Sequence, residues 1–137
     1  MKGKLKVALV VVITAVLAAG GTWWAVVRAG AGQPPAPEPV DVTLEPFTTN
    51  LRDGRVIQVS LVLRVAGPKA AEELEQAHIA DVRHAIYRVL RGLSADDVAG
   101  ADGMDRLRQA IMAALRAGGP LAGIPVEQVL VTDLIVQ

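Results

Sequence analysis

Arg55-Val56-Ile57-Gln58-Val59-Ser60-Leu61-Val62-Leu63-Arg64-Val65 is the stretch that decides the fold class. Ile57, Val59, Leu61, Leu63 and Val65 alternate with Val56, Gln58, Ser60, Val62 and Arg64. Side chains two apart on a strand share a face, so one face is wholly apolar and the other mixed. That is a strand with one side in a core and the other nearer water. Asp53-Gly54 stands just before it, and Gly accepts the positive φ that tight hairpin turns demand. The pattern therefore predicts a hairpin whose first arm is the extended segment Phe47 to Leu51. Upstream, Val40-Asp41-Val42-Thr43-Leu44 alternates in the same way and is separated from Phe47 by Pro46, which cannot donate to a ladder.

Downstream, Gly67-Pro68 ends the long strand and a helix is expected to open near Lys69. Glu72, Glu73 and Glu75 fall in its early turns and Arg83, Arg88 and Arg91 in its late ones, complementing the helix dipole. Ile79, Val82, Ile86, Val89, Leu90 and Leu93 recur at three- and four-residue steps, the signature of one buried helix face. Gly92 weakens the end. Ser94-Ala95-Asp96-Asp97 reads as a cap opening a short helical turn. Asp102 reads as the cap of a further helix with Met104, Leu107, Ile111 and Leu115 as its buried stripe. Gly118-Gly119-Pro120 stops that helix. Val126 to Gln137 is a last strand, in which Leu130, Thr132, Leu134 and Val136 alternate with Val129, Val131, Asp133 and Ile135. The order predicts an α+β domain over 40–137, with helices packed on one face of a small antiparallel or mixed sheet. A domain of roughly a hundred residues buries ~60–70 % of the surface of its unfolded chain, enough to fold alone.

The residues before the domain read differently. Val7 to Val27 contains no charge, and at ~1.5 Å per residue it spans about 31 Å, close to the ~30 Å hydrocarbon core of a bilayer. Lys2, Lys4 and Lys6 precede it and only Arg28 follows closely. The positive-inside bias then predicts a cytoplasmic basic tail over 1–6, a transmembrane helix over 7–28 and export of the rest. Trp23 and Trp24 sit near the far end, as interfacial anchors do. The linker 29–39, AGAGQPPAPEP, is extended spacer that can lift the domain by up to about 30 Å. A cleaved signal peptide ending at Ala29-Gly30-Ala31 is the competing reading. The apolar run exceeds the ~7–15 residues usual for a signal, which favours a retained anchor.

Composition excludes much chemistry. Of 137 residues 52 % are hydrophobic and 20 % charged, which excludes a disordered chain. Lys plus Arg and Asp plus Glu are 14 each, so no global field draws the protein to nucleic acid. The absence of cysteine removes disulfides, thiolate zinc sites and cysteine nucleophiles. His78 and His84 are six apart and cannot form an i,i+4 metal pair on a helix. Asp96, Asp97, Asp102 and Asp105 miss the ligand spacing of a calcium loop. Ser60 and Ser94 are the only serines and neither lies in GxSxG. GxGxxG and GxxxxGK[ST] are absent too. No enzyme activity, metal or cofactor is expected. His84, Arg88 and Arg91 share one helix side. They form either a solvated basic face or a contact for an acidic partner.

The arrangement resembles the FliL family of flagellar basal-body-associated proteins. Glu45-Pro46-Phe47-Thr48-Thr49-Asn50-Leu51 is similar to that family's F-x-x-N-L, and Val82-Arg83 to its I-R-D, with His84 where Asp is usual. Leu93-Ser94-Ala95-Asp96-Asp97-Val98 follows, and Gly103-Met104-Asp105-Arg106-Leu107-Arg108 is similar to G-x-x-x-L-(K/R). The ending Val129 to Gln137 resembles V-x-F-T-x-F-x-x-Q, with Val131 and Leu134 in place of aromatics. The resemblance implies a periplasmic domain of stomatin-like (SPFH) fold, anchored in the inner membrane. It further implies ring-forming self-association around the ion-driven stator units of the flagellar motor, in support of rotation, swimming and swarming. A general stomatin-like envelope scaffold without a motor role is the alternative, and a secreted small-ligand-binding module a third.

Overall fold

The computed structural model describes Gly32 and residues 34–137. The expected basic tail, the span limits Val7 and Val27 and the anchors Trp23 and Trp24 lie outside these residues. Among the described residues no helix is long and apolar enough to cross a membrane.

Pro37–Gln137 forms one compact unit. Its first strands are β1 (Val40–Thr43), β2 (Phe47–Asn50) and β3 (Val56–Val65). Helix α1 (Pro68–Glu73) runs through a π-helical turn (Leu74–His78) into α2 (Ile79–Gly92), and α3 spans Gly100–Arg116. A short 3-10 turn (Gly119–Leu121) precedes the last strand, β4 (Val126–Val136). The sheet is antiparallel throughout. β1 and β2 lie end to end along one side of β3, while β4 pairs along the other. The expected α+β class therefore holds, with the sheet resolved as antiparallel rather than mixed.

β3 is the spine. Ile57, Val59, Leu61, Leu63 and Val65 are all fully buried under the helices, as alternation predicts. Burying such a side chain contributes about 1.5–3 kcal/mol relative to exposure. The opposite face carries Val56, which is exposed, and a cross-strand row. There Arg64 grips Asp41 through Nε (2.7 Å) and Nη2 (2.9 Å) and reaches the Gln128 amide oxygen on β4. The Asp53-Gly54 turn forms as expected, with Gly54 at φ 86° and its N–H donating to the Leu51 carbonyl.

Three expectations are corrected by packing. The long helix is not uniform. At 3.6 residues per turn Val82 would lie about 80° around the axis from Leu74, and the widened turn over Leu74–His78 removes most of that offset. Leu74, Val82, Ile86 and Leu90 are all fully buried as a result. In α3, Asp102 does not cap, because the helix begins at Gly100 and no side chain caps it. Met104 is exposed, and Gly103 takes the buried position with Leu107, Ile111 and Leu115. A Cβ at Gly103 would lie 2.3 Å from the Val98 carbonyl carbon, so only glycine lets the helix start touch that backbone.

The third correction lies in β4, whose alternation changes phase. Ser60 pairs with Asp133 but Leu61 with Val131, which leaves Thr132 as a bulge. Its hydroxyl donates to the Ser60 carbonyl at 3.1 Å. Below the bulge Val129 and Val131 stand opposite the core residues Leu63 and Leu61; above it Leu134 and Val136 stand opposite Val59 and Ile57. One extra residue swaps faces, so every core-facing position on β4 stays apolar although strict alternation fails.

Candidate functional site

Helix α2 presents two surfaces, one basic and one beside the start of the sheet. His84, Arg88 and Arg91 are exposed along its outward side, away from the buried Val82, Ile86 and Leu90. None of the three forms an ion pair among the described residues. They form an exposed basic ridge along one helix side, and Arg88 also borders a shallow hollow with Ala85, Val89, Ala114 and Ala117. His78 sits a turn and a half away at the end of the π-helical turn, with its Nδ1 3.6 Å from Asp81. The acidic run divides by role. Asp97 accepts from the Ser94 N–H and hydroxyl, both at 2.8 Å, and Asp102 and Asp105 lie on α3. Among the described residues no three His, Asp or Glu side chains gather as a metal ion would need.

The second surface is built around Arg83, which spacing alone did not single out. Its guanidinium lies 4.5 Å from the ring centroid of Phe47 on β2 and 5.7 Å from that of Tyr87. The two rings meet edge to face at 5.1 Å. Arg83 donates through Nη1 to the Glu45 carbonyl (3.1 Å) and through Nη2 to the Tyr87 hydroxyl (3.4 Å). Cation–π contact and hydrogen bonds to neutral acceptors hold the guanidinium in place, and no carboxylate pairs with it among the described residues. A sequence signal did exist. The single Phe and single Tyr of the chain, with Arg83 four before Tyr87, are the only material for an aromatic cluster in the domain.

The far end of the domain is clasped. The Asp53 carboxylate accepts from the N–H of Ala95 (2.8 Å) and of Arg55 (3.2 Å), and Arg52 N–H donates to the Leu93 carbonyl (2.9 Å). These bonds tie the β2–β3 turn to the loop after α2. The Ala95 N–H holds Asp53 below the usual carboxylate range, and the Ser94 N–H does the same for Asp97. Arg64 likewise depresses Asp41.

Residues 42–137 match the family model for the flagellar basal body-associated protein FliL. The chain belongs to the FliL family. No curated protein matches the chain by sequence. The family is one of flagellar basal-body-associated proteins, and membership places this protein with the basal body and with motility. The resemblance motifs now have physical roles. Phe47, which opens the F-x-x-N-L stretch, is the ring that Arg83 of the Val82-Arg83 pair stacks upon. Gly103, which opens the G-x-x-x-L stretch, is the close approach to Val98. Val131 and Leu134, standing in place of aromatics, flank the bulge and pack against the core. His84, in place of an Asp, is exposed, so that exchange alters a surface and leaves the core untouched.

Proposed function

We propose that the protein is a single-span inner-membrane component of the flagellar basal body. Residues 1–6 lie in the cytoplasm, 7–28 cross the bilayer, 29–39 act as spacer, and the domain over 40–137 lies in the periplasm. In this reading the domain has the stomatin-like (SPFH) fold. It associates with the stator units as a homo-oligomeric ring and supports flagellar rotation, and with it swimming, swarming and chemotaxis. It acts by binding rather than turnover and takes no cofactor or nucleic acid.

The observation that carries this reading is the family match over 42–137, joined to a lysine-led uncharged run from Val7 to Val27. Anchoring confines the domains to two dimensions, which raises their effective concentration so that weak lateral contacts suffice for assembly. The spacer sets the height at which neighbours meet. The exposed ridge of His84, Arg88 and Arg91 supplies a surface for an acidic partner.

The test is genetic. Deletion should lower swimming under viscous load and swarming. Replacing Arg88 and Arg91 together by Glu should do the same, and should lower cross-linking to stator subunits, while membrane insertion and folding persist. Wild-type motility and cross-linking in that double variant would return the ridge to plain solvated surface. Unchanged motility on deletion, under load as well, would leave the general envelope scaffold as the better reading.

A further inference from the structure

A groove beside β1 has organised walls on both sides. It measures about 380 Å³ and is lined by Val42, Thr43, Leu44 and Glu45 on one side and by Glu75, Ile79 and Arg83 on the other. Val42 and Leu44 are buried in its floor. Glu75, Ile79 and Arg83 are successive four-residue steps along the π-helical turn and α2, so the helix wall reads negative, apolar, positive. At ~1.5 Å per residue the two charges are about 12 Å apart along the helix. Arg83 is the prepared end, held by Phe47, Tyr87 and the Glu45 carbonyl and without a carboxylate partner among the described residues. Glu75 is exposed at the other end.

The strand wall supplies backbone. The Leu44 N–H donates to the Leu61 carbonyl at 3.0 Å, so just past β1 Leu44 continues the register and turns its N–H towards β3. In an antiparallel ladder the next residue points its N–H and C=O the other way. Thr43, which is exposed, therefore directs its backbone groups away from β3. The break at Glu45-Pro46 between β1 and β2 keeps this edge short.

We infer that this groove binds an extended peptide of the pattern acid–x–apolar–x–base, running antiparallel to β1. In a strand, residues four apart lie about 13–14 Å from each other on one side, matching the separation of Arg83 and Glu75. Arg83 donates to the Glu45 carbonyl, two residues beyond the C-terminal end of β1, so an antiparallel peptide enters there with its acid against the guanidinium. Its apolar side chain lies on Ile79 between Val42 and Leu44, and its base reaches Glu75. Strand addition of this kind takes affinity from main-chain bonds and specificity from alternate side chains. The chain's own N-terminal segment does not fit. Within 1–39 the one acid is Glu38, and the residue four after it is Val42. This inference is independent of which motor component the domain meets, and its failure would leave the motility reading standing.

The test uses the full chain in lipid nanodiscs and a fluorescein-labelled peptide, Ser-Asp-Thr-Val-Thr-Lys-Ser, read by anisotropy. The peptide should bind at least about fivefold more tightly than a scrambled peptide of the same composition, the ratio expected of an exposed charge pair at each end. Glu75→Lys leaves the fold alone, because Glu75 is exposed and forms no ion pair among the described residues. It should reverse the preference at that end, so that Ser-Asp-Thr-Val-Thr-Glu-Ser binds more tightly than the Lys peptide. Arg83→Gln should weaken binding of the ordered peptide by about two- to fivefold, as loss of one exposed charge pair does. Equal binding of ordered and scrambled peptides overturns the inference, and so does a Glu75→Lys protein with unchanged preference. Self-association that displaces the peptide, and that Glu75→Lys abolishes, would give the groove to a second copy and overturn it equally.

Discussion

Gly103→Ala separates a local argument from a tertiary one. Within a helix, Ala is favoured over Gly by about 0.8–1.0 kcal/mol, so helix propensity alone predicts a more stable protein. The structure predicts the reverse. A Cβ built on Gly103 would lie 2.3 Å from the Val98 carbonyl carbon, 2.6 Å from its oxygen and 2.8 Å from its Cα. These are backbone atoms of the turn that leads into α3, and they cannot rotate aside as a flexible side chain would. Relief requires a shift of about 1 Å between the helix start and the turn. That turn is also held by Arg106, which donates to the Asp97 carbonyl at 3.0 Å. Overpacking of this kind costs typically 1–3 kcal/mol and occasionally more. With backbone on both sides the upper part of that range applies, and the net loss should be about 2 kcal/mol after the propensity gain. Gly92→Ala is the matched control, because nothing lies within 4 Å of a Cβ there; it should stabilise by up to about 1 kcal/mol. Urea titration of the full chain in detergent, followed by the helical circular dichroism signal, measures both. A Gly103→Ala protein as stable as wild type would refute the close-approach reading, and equal losses in the two variants would refute the comparison.

Two further outcomes are expected. Removing Asp133 to Gln137 deletes the part of β4 that pairs with Ile57 through Ser60 and uncovers their side of the core, so the cooperative transition should be lost; a truncated chain melting like the whole would show the tail to be dispensable. Asp53 and Asp97 hold their protons less readily in the folded chain than at the ordinary value of 3.8, so each contributes stability above about pH 4 that is lost as the pH falls through its lower folded value. Asp53→Asn should therefore flatten the loss of stability in urea titrations taken downward from about pH 5, and an unchanged acid limb would show that the clasp at Ala95 carries no linkage.

Sequence by itself determined the elements whose signal is local. The alternation of Ile57 through Val65, the Asp53-Gly54 turn and the stop at Gly118-Gly119-Pro120 each need only neighbouring residues to be read, and each stands where expected. The basic ridge was legible for the same reason, since a helix puts residues 84, 88 and 91 on one side whatever it packs against. Tertiary structure decided the rest. The π-helical turn, the Thr132 bulge and the exposure of Met104 all serve to keep apolar side chains against β3. That demand comes from a strand or helix distant in sequence, not from the residues that yield to it. The Arg83 cluster is of the same kind. Phe47 and Glu45 come to it from the sheet, 36 and 38 positions earlier in the chain, and only the antiparallel seating of β1 and β2 on β3 delivers them. Local pattern selects which element forms, while the requirement that each element share a single dry core decides its phase, its irregularities and the side chains it brings together.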